Sequence, residues 1–405
     1  MQAVIVGAGQ AGARAAKAMR GAGFEGSIKV FGSEAHMPYE RPLLSKTLLQ
    51  DPATPVPFVF ADGIYQEAGI EVHTGATVTG IDRERQVVTL ADGSTESYDR
   101  LLLATGSRVR TLAIDGYPPE RILYLRSLDD CRAIEALIGG QPSVAIVGGG
   151  FIGLEVAATL AGHGCQVSVV EMADRLLPRL GCADASAMVL AHHLSVGVDV
   201  RLSAAIAGGE PGLLTLGDGD HIPADFIVAG VGVMPDTALA QAAGLAVTDG
   251  IVVDEFGQTS DPNIFAAGDV TRHFNPLLGS QLRLESWQNA NLQAEAAGRT
   301  MAGVPTAYAE IPWLWSDQGG LNLQMAGAPQ NVDNVVLRGD PAGEDGVTVF
   351  QFCEGRLVGG VTLNRGKEMP LIRRLLVTGD LALPATSLGD TAIPLRQFIP
   401  KKVEA

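Results

Sequence analysis

The pattern G-x-G-x-x-G occurs twice in this 405-residue sequence, each time directly after a short apolar run. The two copies are Gly7, Gly9, Gly12 and Gly148, Gly150, Gly153. An apolar run, a glycine-rich turn and a helix-favouring stretch predict a strand, a tight turn and a helix. This succession is the building unit of a parallel sheet covered by helices. The sequence therefore predicts an α/β fold that contains two such units.

Each unit continues into a second strand-like run that leads to an acidic residue. Glu34 follows Gly12 by 22 residues and Glu171 follows Gly153 by 18, close to the spacing of about 20 typical of dinucleotide-binding units. The second glycine of such a unit lets the backbone approach a pyrophosphate, which lies at the helix N-terminus. The acid accepts hydrogen bonds from ribose hydroxyls. The sequence therefore predicts two Rossmann-like dinucleotide sites.

Composition and charge exclude several classes of protein. With 46% hydrophobic residues the chain can form sizeable cores, and a net charge of −16 argues against nucleic acid or an anionic membrane as partner. No basic segment precedes the first apolar run, and no apolar stretch reaches the roughly 18 residues that a spanning helix needs. We expect a cytoplasmic protein with no membrane segment.

Cysteine and histidine patterns predict no metal site. Cys131, Cys165, Cys182 and Cys353 are too far apart for a zinc site, an iron–sulfur cluster or a dithiol centre, so we expect free thiols. The histidines form no ligand pattern. His192 and His193 are adjacent, so on a helix we expect them to point to different faces, as surface or capping residues.

The rest of the chain is predicted less sharply. Residues 98–103 indicate a strand that leads into Ala104-Thr105-Gly106, and residues 263–269 a strand that ends in Gly-Asp. Residues 286–301 favour a helix. Residues 332–337, 347–353 and 357–363 indicate a β-meander, and residues 366–376 a basic helix.

With the two glycine patterns, Ala104-Thr105-Gly106 and Ala266-Ala267-Gly268-Asp269 in this order, the chain resembles the two-dinucleotide flavoprotein superfamily. More specific strings resemble one family within it, the oxygenase-coupled, FAD-dependent NADH:ferredoxin reductases. Residues 38–46 (P-Y-E-R-P-L-L-S-K) match its P-Y-x-R-P-P-L-S-K motif except at Leu43. Residues 312–318 (P-W-L-W-S-D-Q) match its P-W-F-W-S-D-Q except at Leu314, and residues 126–130 are also typical.

The resemblance covers essentially the whole chain and implies three domains. A discontinuous FAD domain comprises residues 1–108 and 233–311, an NAD domain residues 109–232, and a C-terminal α+β domain on the ferredoxin side residues 312–405. The family includes reductases of aromatic-ring dioxygenases and of bacterial haem monooxygenases. The disulfide-reductase branch of the superfamily is excluded, because no cysteine precedes Cys131.

The resemblance also implies the cofactors and the residues that hold them. The residues expected to bind FAD are Gly7, Gly9, Ala11, Gly12, Glu34, Arg41, Lys46, Val78, Ala104, Thr105, Gly106, Arg126, Asp269 and Trp287. The residues expected to bind NAD are Gly148, Gly150, Phe151, Ile152, Gly153, Glu155, Glu171, Arg179 and Gly232. Because a carboxylate at Glu171 would repel a 2′-phosphate, we expect NADH rather than NADPH.

Three residues are implied in catalysis. Lys46 is expected against the reactive nitrogen of the flavin's central ring, where an ammonium favours the reduced, anionic ring. Glu155 is expected to pair with Lys46 from the first turn of the NAD helix. Trp315 is expected to lie near the isoalloxazine. Each has an alternative. Lys46 could be a solvated loop lysine, Glu155 an acid that complements the helix dipole, and Trp315 a tryptophan of the core.

NADH delivers two electrons as a hydride and a [2Fe-2S] ferredoxin accepts one at a time, and a flavin can do both. An acidic ferredoxin would need a local basic surface, for which Arg365, Lys367, Arg373 and Arg374 are the candidates. Lys367 and Arg374 are seven residues apart and are expected to share a helix face. Further candidates are Arg338, Arg396, Lys401 and Lys402. An ordinary solvated helix face is the alternative.

Two other functions stay open. The first is an NADH oxidase or another NADH:acceptor flavoprotein, although such relatives carry a redox cysteine near the flavin and none precedes Cys131. The second is a flavoprotein like the apoptosis-inducing factors, which bind DNA through basic surface, and the net charge of −16 argues against it.

Overall fold

A computed structural model describes residues 1–341, 343, 345–378 and 385–399 of the chain. These residues form two compact units. The first unit comprises Met1–Arg41, Pro55–Arg108 and Val233–Pro312, and the second comprises Pro42–Thr54, Val109–Gly232 and the chain from Trp313 onward. The short segment Pro42–Thr54 therefore belongs to the second unit, whereas the residues on both sides of it belong to the first. The three functional domains inferred from the sequence stay a prediction.

The first unit is built on a five-stranded parallel sheet. Its order is β20-β7-β1-β2-β3, formed by β1 (Gln2–Val6), β2 (Ser27–Phe31), β3 (Ile70–His73), β7 (Arg100–Leu103) and β20 (Ile264–Ala266). The central strand β1 reads as an apolar run because both of its faces are buried. Helix α1 (Gln10–Gly21) follows β1, and helix α8 (Trp287–Met301) packs against α1.

Small residues let α1 and α8 approach closely. A Cβ atom at Gly298 of α8 would lie 2.4 Å from the carbonyl oxygen of Ala15 in α1, so only glycine fits there. The alanine-rich sequence of both helices serves this contact.

Smaller elements complete the first unit. They are β4 (Val78–Asp82), β5 (Val87–Leu90) and β6 (Thr95–Ser97) in one antiparallel sheet, β18 (Val247–Thr248), β19 (Gly250–Val253), β21 (Thr271–Asn275) and β22 (Ser280–Leu282) in another, and helices α3 (Ile64–Glu67) and α7 (Ala238–Ala242). The strands β8 (Ser107–Val109) and β17 (Val233–Pro235) lie where the chain leaves and re-enters this unit.

The second unit contains a second five-stranded parallel sheet. Its order is β12-β11-β10-β16-β9, formed by β9 (Ile122–Leu123), β10 (Ser143–Val147), β11 (Gln166–Val170), β12 (Asp199–Arg201) and β16 (Phe226–Ala229). A three-stranded antiparallel sheet comprises β13 (Ile206–Glu210), β14 (Gly212–Leu216) and β15 (His221–Ala224). The helices are α2 (Thr47–Gln50), α4 (Leu128–Ile138), α5 (Phe151–Gly162) and α6 (Ala183–Ser195).

The C-terminal part of the second unit is a five-stranded antiparallel sheet. Its order is β23-β24-β27-β26-β25, formed by β23 (Trp313–Gln318), β24 (Leu321–Gly327), β25 (Asn334–Gly339), β26 (Val347–Cys353) and β27 (Arg356–Leu363). Helices α9 (Met369–Val377) and α10 (Ala385–Gly389) follow. Ile372 of α9 packs directly over Gly360, where a Cβ atom would lie 2.6 Å from its side chain. The predicted meander is confirmed, and its first strand begins two residues later than expected.

The basic helix predicted over residues 366–376 is wrong in its first turn. Residues Gly366–Glu368 form a 3-10 turn, and the α-helix begins only at Met369. Pro370 fits at the start of this α-helix because its missing N–H would be unpaired there in any residue. The other 3-10 turns in the described part of the chain are Arg41–Leu43, Pro119–Arg121, Pro178–Leu180 and Leu395–Phe398.

The four cysteines are free thiols, of which Cys131, Cys165 and Cys182 are buried. Burial raises the pKa of the Cys131 thiol to about 11, so this thiol stays protonated at neutral pH. None of the helices in the described part of the chain is both long and apolar enough to cross a membrane.

His273 of β21 predicts an acid-sensitive step in the stability of the first unit. Its ring is buried against the Tyr308 ring, and burial lowers its pKa to about 4. The unfolded chain binds this proton at about pH 6.5, so stability present above that pH is lost as the pH falls towards about 4. We expect His273 to account for a loss of about 3 kcal/mol across this window.

The test is urea denaturation of the unmodified protein and of His273→Gln at about pH 7 and about pH 4.5. His273→Gln should lose less stability between the two pH values than the unmodified protein. His221→Gln, at an exposed histidine, serves as the control and should behave like the unmodified protein. An equal loss in all three proteins would contradict the prediction.

Candidate functional site

The first glycine-rich turn has one glycine that no protein contact explains. A Cβ atom at Gly7 would lie 2.1 Å from the carbonyl oxygen of Ala104, and one at Gly12 would lie 1.9 Å from that of Gly7. Chain packing therefore requires both glycines. At Gly9 the nearest atom is a guanidinium nitrogen of Arg41, 4.0 Å away. The space over Gly9 is open, as the close approach of a phosphate requires.

The second turn repeats this construction in the second unit. A Cβ atom at Gly148 would lie 2.5 Å from the carbonyl oxygen of Gly230, and one at Gly153 would lie 2.2 Å from that of Gly148. At Gly150 no atom lies within 4 Å. The middle glycine of each turn thus leaves a cradle that a side chain would fill. This arrangement fits a dinucleotide in both units.

The helices that follow the two turns begin without a capping side chain. Gly9 is the N-cap of α1 and Gly150 that of α5, and neither helix has an acid in its first turn. The first N–H groups of a helix lack partners within the helix, and the helix dipole adds positive potential there. Both helix N-termini are therefore suited to hold an anionic group.

Side chains hold the acid of the first unit. Glu34 accepts a hydrogen bond of 2.6 Å from the Tyr39 hydroxyl and pairs with the Arg41 guanidinium. Burial alone would raise the pKa of Glu34, but the charge of Arg41 and these hydrogen bonds outweigh it and hold that pKa below its ordinary value. Glu34 is therefore an ionised acceptor beside the first cradle.

The backbone holds the acid of the second unit. One carboxylate oxygen of Glu171 accepts a 2.7 Å hydrogen bond from the N–H of Gly149, and the other accepts a 2.7 Å bond from that of Ala173. Because Gly149 lies within the glycine-rich turn, the carboxylate is fixed directly beside the cradle. Arg179 lies exposed in the Pro178–Leu180 turn.

Other predicted coenzyme residues occupy turns and helix ends. Asp269 accepts a 3.3 Å hydrogen bond from Ser107, and the Thr105 hydroxyl donates to the backbone carbonyl of Asp236 at 2.7 Å. Trp287 opens α8, and its indole N–H donates to Glu40. The remaining ones are Ala11 and Phe151 near the starts of α1 and α5, exposed Ile152, Gly106 and Gly232 with positive φ, and Val78, whose side chain is buried in the core.

The structure groups two of the predicted FAD residues with the second unit. These are Lys46 and Arg126, whereas the other FAD candidates belong to the first unit. Arg126 directly precedes the N-cap of α4, and its backbone N–H donates to Asp130 at 3.0 Å.

The second unit contains a buried ion pair. The Lys46 ammonium and the Glu155 carboxylate are 2.7 Å apart, and their side chains are only 11% and 2% exposed. The hydroxyls of Ser45 and Ser316 also donate to Glu155, the latter at 2.6 Å, and Lys46 donates to the Pro42 carbonyl at 3.1 Å. A buried ion pair is stable only when further hydrogen bonds satisfy both groups, and this pair has them.

The expectation that Glu155 lies in the first helical turn is wrong. Helix α5 begins at Phe151, so Glu155 is its fifth residue and the first turn contains no acid. The effect of the helix dipole is concentrated in the first turn. The ion pair with Lys46 and the two serine hydroxyls therefore account for Glu155, rather than the dipole.

Two tryptophans of β23 form a stack in the second unit. The rings of Trp313 and Trp315 lie 5.2 Å apart at an angle of 21°, because alternate residues of a strand share a face. The guanidinium of Arg373 lies 5.9 Å from the Trp313 ring.

Sequence reasoning missed the role of the residues around the ion pair. Ser45 and Ser316 lie in the two family motifs, residues 38–46 and 312–318, and this was the sequence signal that could have identified them. Gln318 ends the second string, and the rings of both His192 and His193 reach it: His192 at its backbone carbonyl (2.7 Å) and His193 at its side-chain oxygen (2.9 Å).

The two adjacent histidines were expected to be surface or capping residues that point to different faces of a helix. In the structure His193 is fully buried, and both rings meet one strand end. The adjacent side chains differ in direction, with their rings at 83°, but Gln318 offers a main-chain and a side-chain acceptor. Among the described residues no group of three or more histidine, cysteine or acidic side chains could hold a metal ion.

The predicted basic surface is smaller than expected. Arg338 is buried, pairs with Glu368 at 3.0 Å and donates to backbone carbonyls, so it belongs to the fold. Arg365 also pairs with Glu368, at 3.1 Å. Lys367 and Arg374 are both exposed, but they do not share one continuous helix.

The remaining basic candidates divide into two groups. Arg396 is exposed in the Leu395–Phe398 turn. Lys401 and Lys402 lie outside the described residues.

Two family models match the chain. The model described as pyridine nucleotide-disulphide oxidoreductase matches residues 1–294, and the model described as reductase C-terminal matches residues 313–399.

Proteins similar over nearly the whole chain include reductase components of oxygenase systems. The ferredoxin–NAD(+) reductase component of the anthranilate 1,2-dioxygenase system of Burkholderia cepacia is 42% identical over 98% of each chain. Putidaredoxin reductase of Pseudomonas putida is 36% identical over 98% of this chain and 96% of its own. A solved structure of the covalent putidaredoxin reductase–putidaredoxin complex matches with a TM-score of 0.94 and 35% identity over 98% of each chain. The predicted fold class is confirmed.

The two kinds of glycine in the second turn should respond differently to substitution. Gly150→Ala should weaken dinucleotide binding about tenfold, because the added methyl group enters the cradle. It should change the free energy of unfolding by less than about 1 kcal/mol, because no protein atom is displaced. Gly153→Ala should cost about 1–3 kcal/mol through its clash with the Gly148 carbonyl.

Isothermal titration with NAD(+) and urea denaturation measure the two quantities. Gly162→Ala is the matched control, because it also adds a methyl group in open space but at the far end of α5. It should leave binding unchanged. Equal binding by Gly150→Ala and Gly162→Ala would show that the cradle is not used.

Proposed function

We propose that this chain, which belongs to the pyridine nucleotide-disulphide oxidoreductase family, is a FAD-dependent reductase of an oxygenase system. It takes a hydride from NADH and passes electrons singly to a small [2Fe-2S] ferredoxin. The observation that carries the proposal is the buried Lys46–Glu155 pair with its two serine donors. It brings together the two strings, residues 38–46 and 312–318, that resemble oxygenase-coupled reductases.

The first unit would hold FAD. Gly9 and the start of α1 would receive the pyrophosphate, Glu34 a ribose, and Asp269 and the start of α8 the flavin end. When bound, FAD supplies a group that accepts a hydride and releases its electrons one at a time. Its binding residues supply position and an electrostatic environment.

In the second unit, Gly150 and the start of α5 would receive the pyrophosphate of NADH, and Glu171 its adenosine ribose. The 2′-hydroxyl can donate to an ionised carboxylate, whereas a 2′-phosphate would meet a like charge. Two backbone N–H groups hold the Glu171 carboxylate, so its rotation away from the coenzyme would break two hydrogen bonds. These contacts favour NADH over NADPH.

Lys46 and Glu155 would act together at the reacting centre. The ammonium is a fixed positive charge that favours electron density arriving on a nearby ring. Glu155 pairs with the Lys46 nitrogen at 2.7 Å and fixes its direction. Burial excludes water from the pair, which strengthens both interactions.

The ferredoxin would dock on a basic surface, defined here as Arg365, Lys367, Arg373 and Arg374. Lys367 and Arg374 are exposed and supply most of its accessible charge. Arg373 lies against Trp313, so the basic surface is continuous with the stacked tryptophans of β23. Positive charge would steer an acidic protein to this place on a chain that is acidic overall.

The cysteines argue against an oxidase that depends on a redox thiol. Cys131 is buried, and its thiol is protonated at neutral pH because burial raises its pKa to about 11. Buried free thiols are typical of a reducing compartment, so we propose a cytoplasmic location.

Reduction of cytochrome c by NADH tests the proposed function. The protein should carry FAD, and the rate should rise strongly when a [2Fe-2S] ferredoxin of an oxygenase system is added. A rate indifferent to ferredoxin would favour a general NADH:acceptor flavoprotein, and a preparation that binds no FAD would refute the proposal.

Coenzyme preference should depend on Glu171. The unmodified protein should prefer NADH to NADPH at least about tenfold in kcat/KM, which corresponds to about 1.4 kcal/mol. Glu171→Gln should narrow the preference, because it removes the negative charge and keeps one acceptor oxygen. Glu210→Gln, at an exposed acid of the same unit, is the control and should keep the full preference. Equal kcat/KM for both coenzymes in the unmodified protein would contradict the assignment.

Hydride transfer and docking should be separable. Reversing charge at Lys367 and Arg374 should leave stopped-flow flavin reduction by NADH unchanged but slow ferredoxin reduction, most at low salt, because charges are screened within about 10 Å at 0.1 M. Lys46→Ala should slow flavin reduction whichever acceptor is present.

The control for docking reverses the exposed Lys17 and Arg85 of the first unit, which gives the same change in net charge. If this control slows ferredoxin reduction as much as the reversal at Lys367 and Arg374, the effect comes from net charge and the docking surface lies elsewhere.

A further inference from the structure

A chain of buried hydrogen bonds leads from the Lys46–Glu155 pair to His193 in α6. Ser316 donates to Glu155 at 2.6 Å, the side-chain nitrogen of Gln318 donates to Ser316 at 3.0 Å, and the side-chain oxygen of Gln318 lies 2.9 Å from Nε2 of His193. Ser316, Gln318 and His193 are fully buried. Each bond in such a dry chain is strong, and a lost partner is costly to replace.

The chemistry of the groups determines the direction of every bond. An ionised carboxylate only accepts, so Ser316 uses its single hydrogen on Glu155. Ser316 can then only accept from Gln318, whose amide nitrogen must face it. The amide oxygen therefore faces His193 and needs a hydrogen on Nε2.

His193 itself agrees with this assignment. Its Nδ1 atom is buried and has no hydrogen-bond partner among the described residues, so a hydrogen there would be unpaired. Burial also lowers the pKa of His193, so the ring is neutral at neutral pH and carries one hydrogen. A hydrogen on Nε2 gives every donor in this series of hydrogen bonds an acceptor.

Gln318 is held at its main chain as well. The Nε2 atom of the neighbouring His192 lies 2.7 Å from the backbone carbonyl of Gln318. Because His192 fixes the backbone of Gln318, the Gln318 side chain can respond to His193 mainly by rotating its amide group.

The other tautomer of His193 would reverse the chain. With the hydrogen on Nδ1, Nε2 would accept, and the Gln318 amide would turn its nitrogen to His193 and its oxygen to Ser316. The Ser316 hydroxyl would then be drawn to Gln318, and Glu155 would lose one of its three donors.

We propose that Gln318 and His193 are positioning residues for the Lys46–Glu155 pair. Through its hydrogen on Nε2, His193 sets the orientation of the Gln318 amide, and Gln318 directs the Ser316 hydroxyl onto Glu155. Glu155 in turn holds the Lys46 ammonium in place. The inference rests on the proposed function, because that function gives the pair its role in hydride transfer.

The tautomer can be measured without any catalytic reaction. The full-length protein, as purified and with ¹⁵N-labelled histidine, should show a protonated Nε2 and an unprotonated Nδ1 for His193 at neutral pH, assigned by comparison with His193→Gln. A hydrogen on Nδ1 would overturn the proposal. This result is decisive even if the protein proves not to be an NADH-dependent reductase.

Kinetics test the consequence for the ion pair. Gln318→Glu keeps the shape of the side chain, and its ionised carboxylate offers only acceptors, so the Ser316 hydroxyl is drawn away from Glu155. The limiting rate of flavin reduction by NADH should fall about tenfold, while the Kd for NADH changes less than about twofold. Gln351→Glu is the matched control, because Gln351 is equally buried in the same sheet and its side-chain amide donates to the Leu180 carbonyl.

A double variant separates positioning from general damage. Ser316→Ala combined with Gln318→Glu should be no slower than Ser316→Ala alone, because both remove the same hydrogen bond from Glu155. If the two losses multiply, or if Gln351→Glu slows flavin reduction as much as Gln318→Glu, the proposal is wrong. If the unmodified protein is not reduced by NADH at all, the proposed function fails and the tautomer measurement still decides the hydrogen-bond chain.

Discussion

The buried pair of Lys46 and Glu155 joins three parts of the second unit that are distant in sequence, namely Pro42–Thr54, α5 and β23. Removing two opposite charges from water is costly, and their attraction compensates only if further polar groups satisfy them. The chain supplies those groups from Pro42–Thr54 and β23, which are far from α5 in sequence. The short segment Pro42–Thr54 is thus tied to the second unit by the same contacts that hold the Lys46 ammonium in its direction.

In both dinucleotide cradles the three glycines have the same separate roles. In each, the first and third glycines are required by contacts within the protein, whereas the middle glycine faces open space. A glycine that the fold does not need carries the entropic cost of its flexible backbone without structural benefit. Its presence in both turns, each before an uncapped helix, fits a ligand in each cradle.

The features that were predictable from sequence are those encoded locally. The two parallel units follow from a strand, a turn and a helix within a few residues. The pairing of Lys46 with Glu155 is not local, and it was predictable only because the family resemblance implies it. The contact between His193 and Gln318 joins residues 125 positions apart and has no local signal. The burial of Arg338 could not be predicted either, since its partners are mostly backbone carbonyls. A cluster of basic residues in the sequence does not by itself show which of their side chains face solvent.

The acids beside the two cradles are held by different parts of the protein, and this has an evolutionary consequence. Glu34 is oriented by the side chains of Tyr39 and Arg41, so mutations at three positions can move it. Glu171 is oriented by backbone N–H groups, which every residue type except proline provides. The position of Glu171 is therefore insensitive to the identity of the neighbouring side chains. Under the proposed function, replacing Glu171 itself is the most direct way to change the coenzyme preference. One substitution would then be enough to change the choice of coenzyme, whereas the first acid can also be displaced by a change in either of its two side-chain partners.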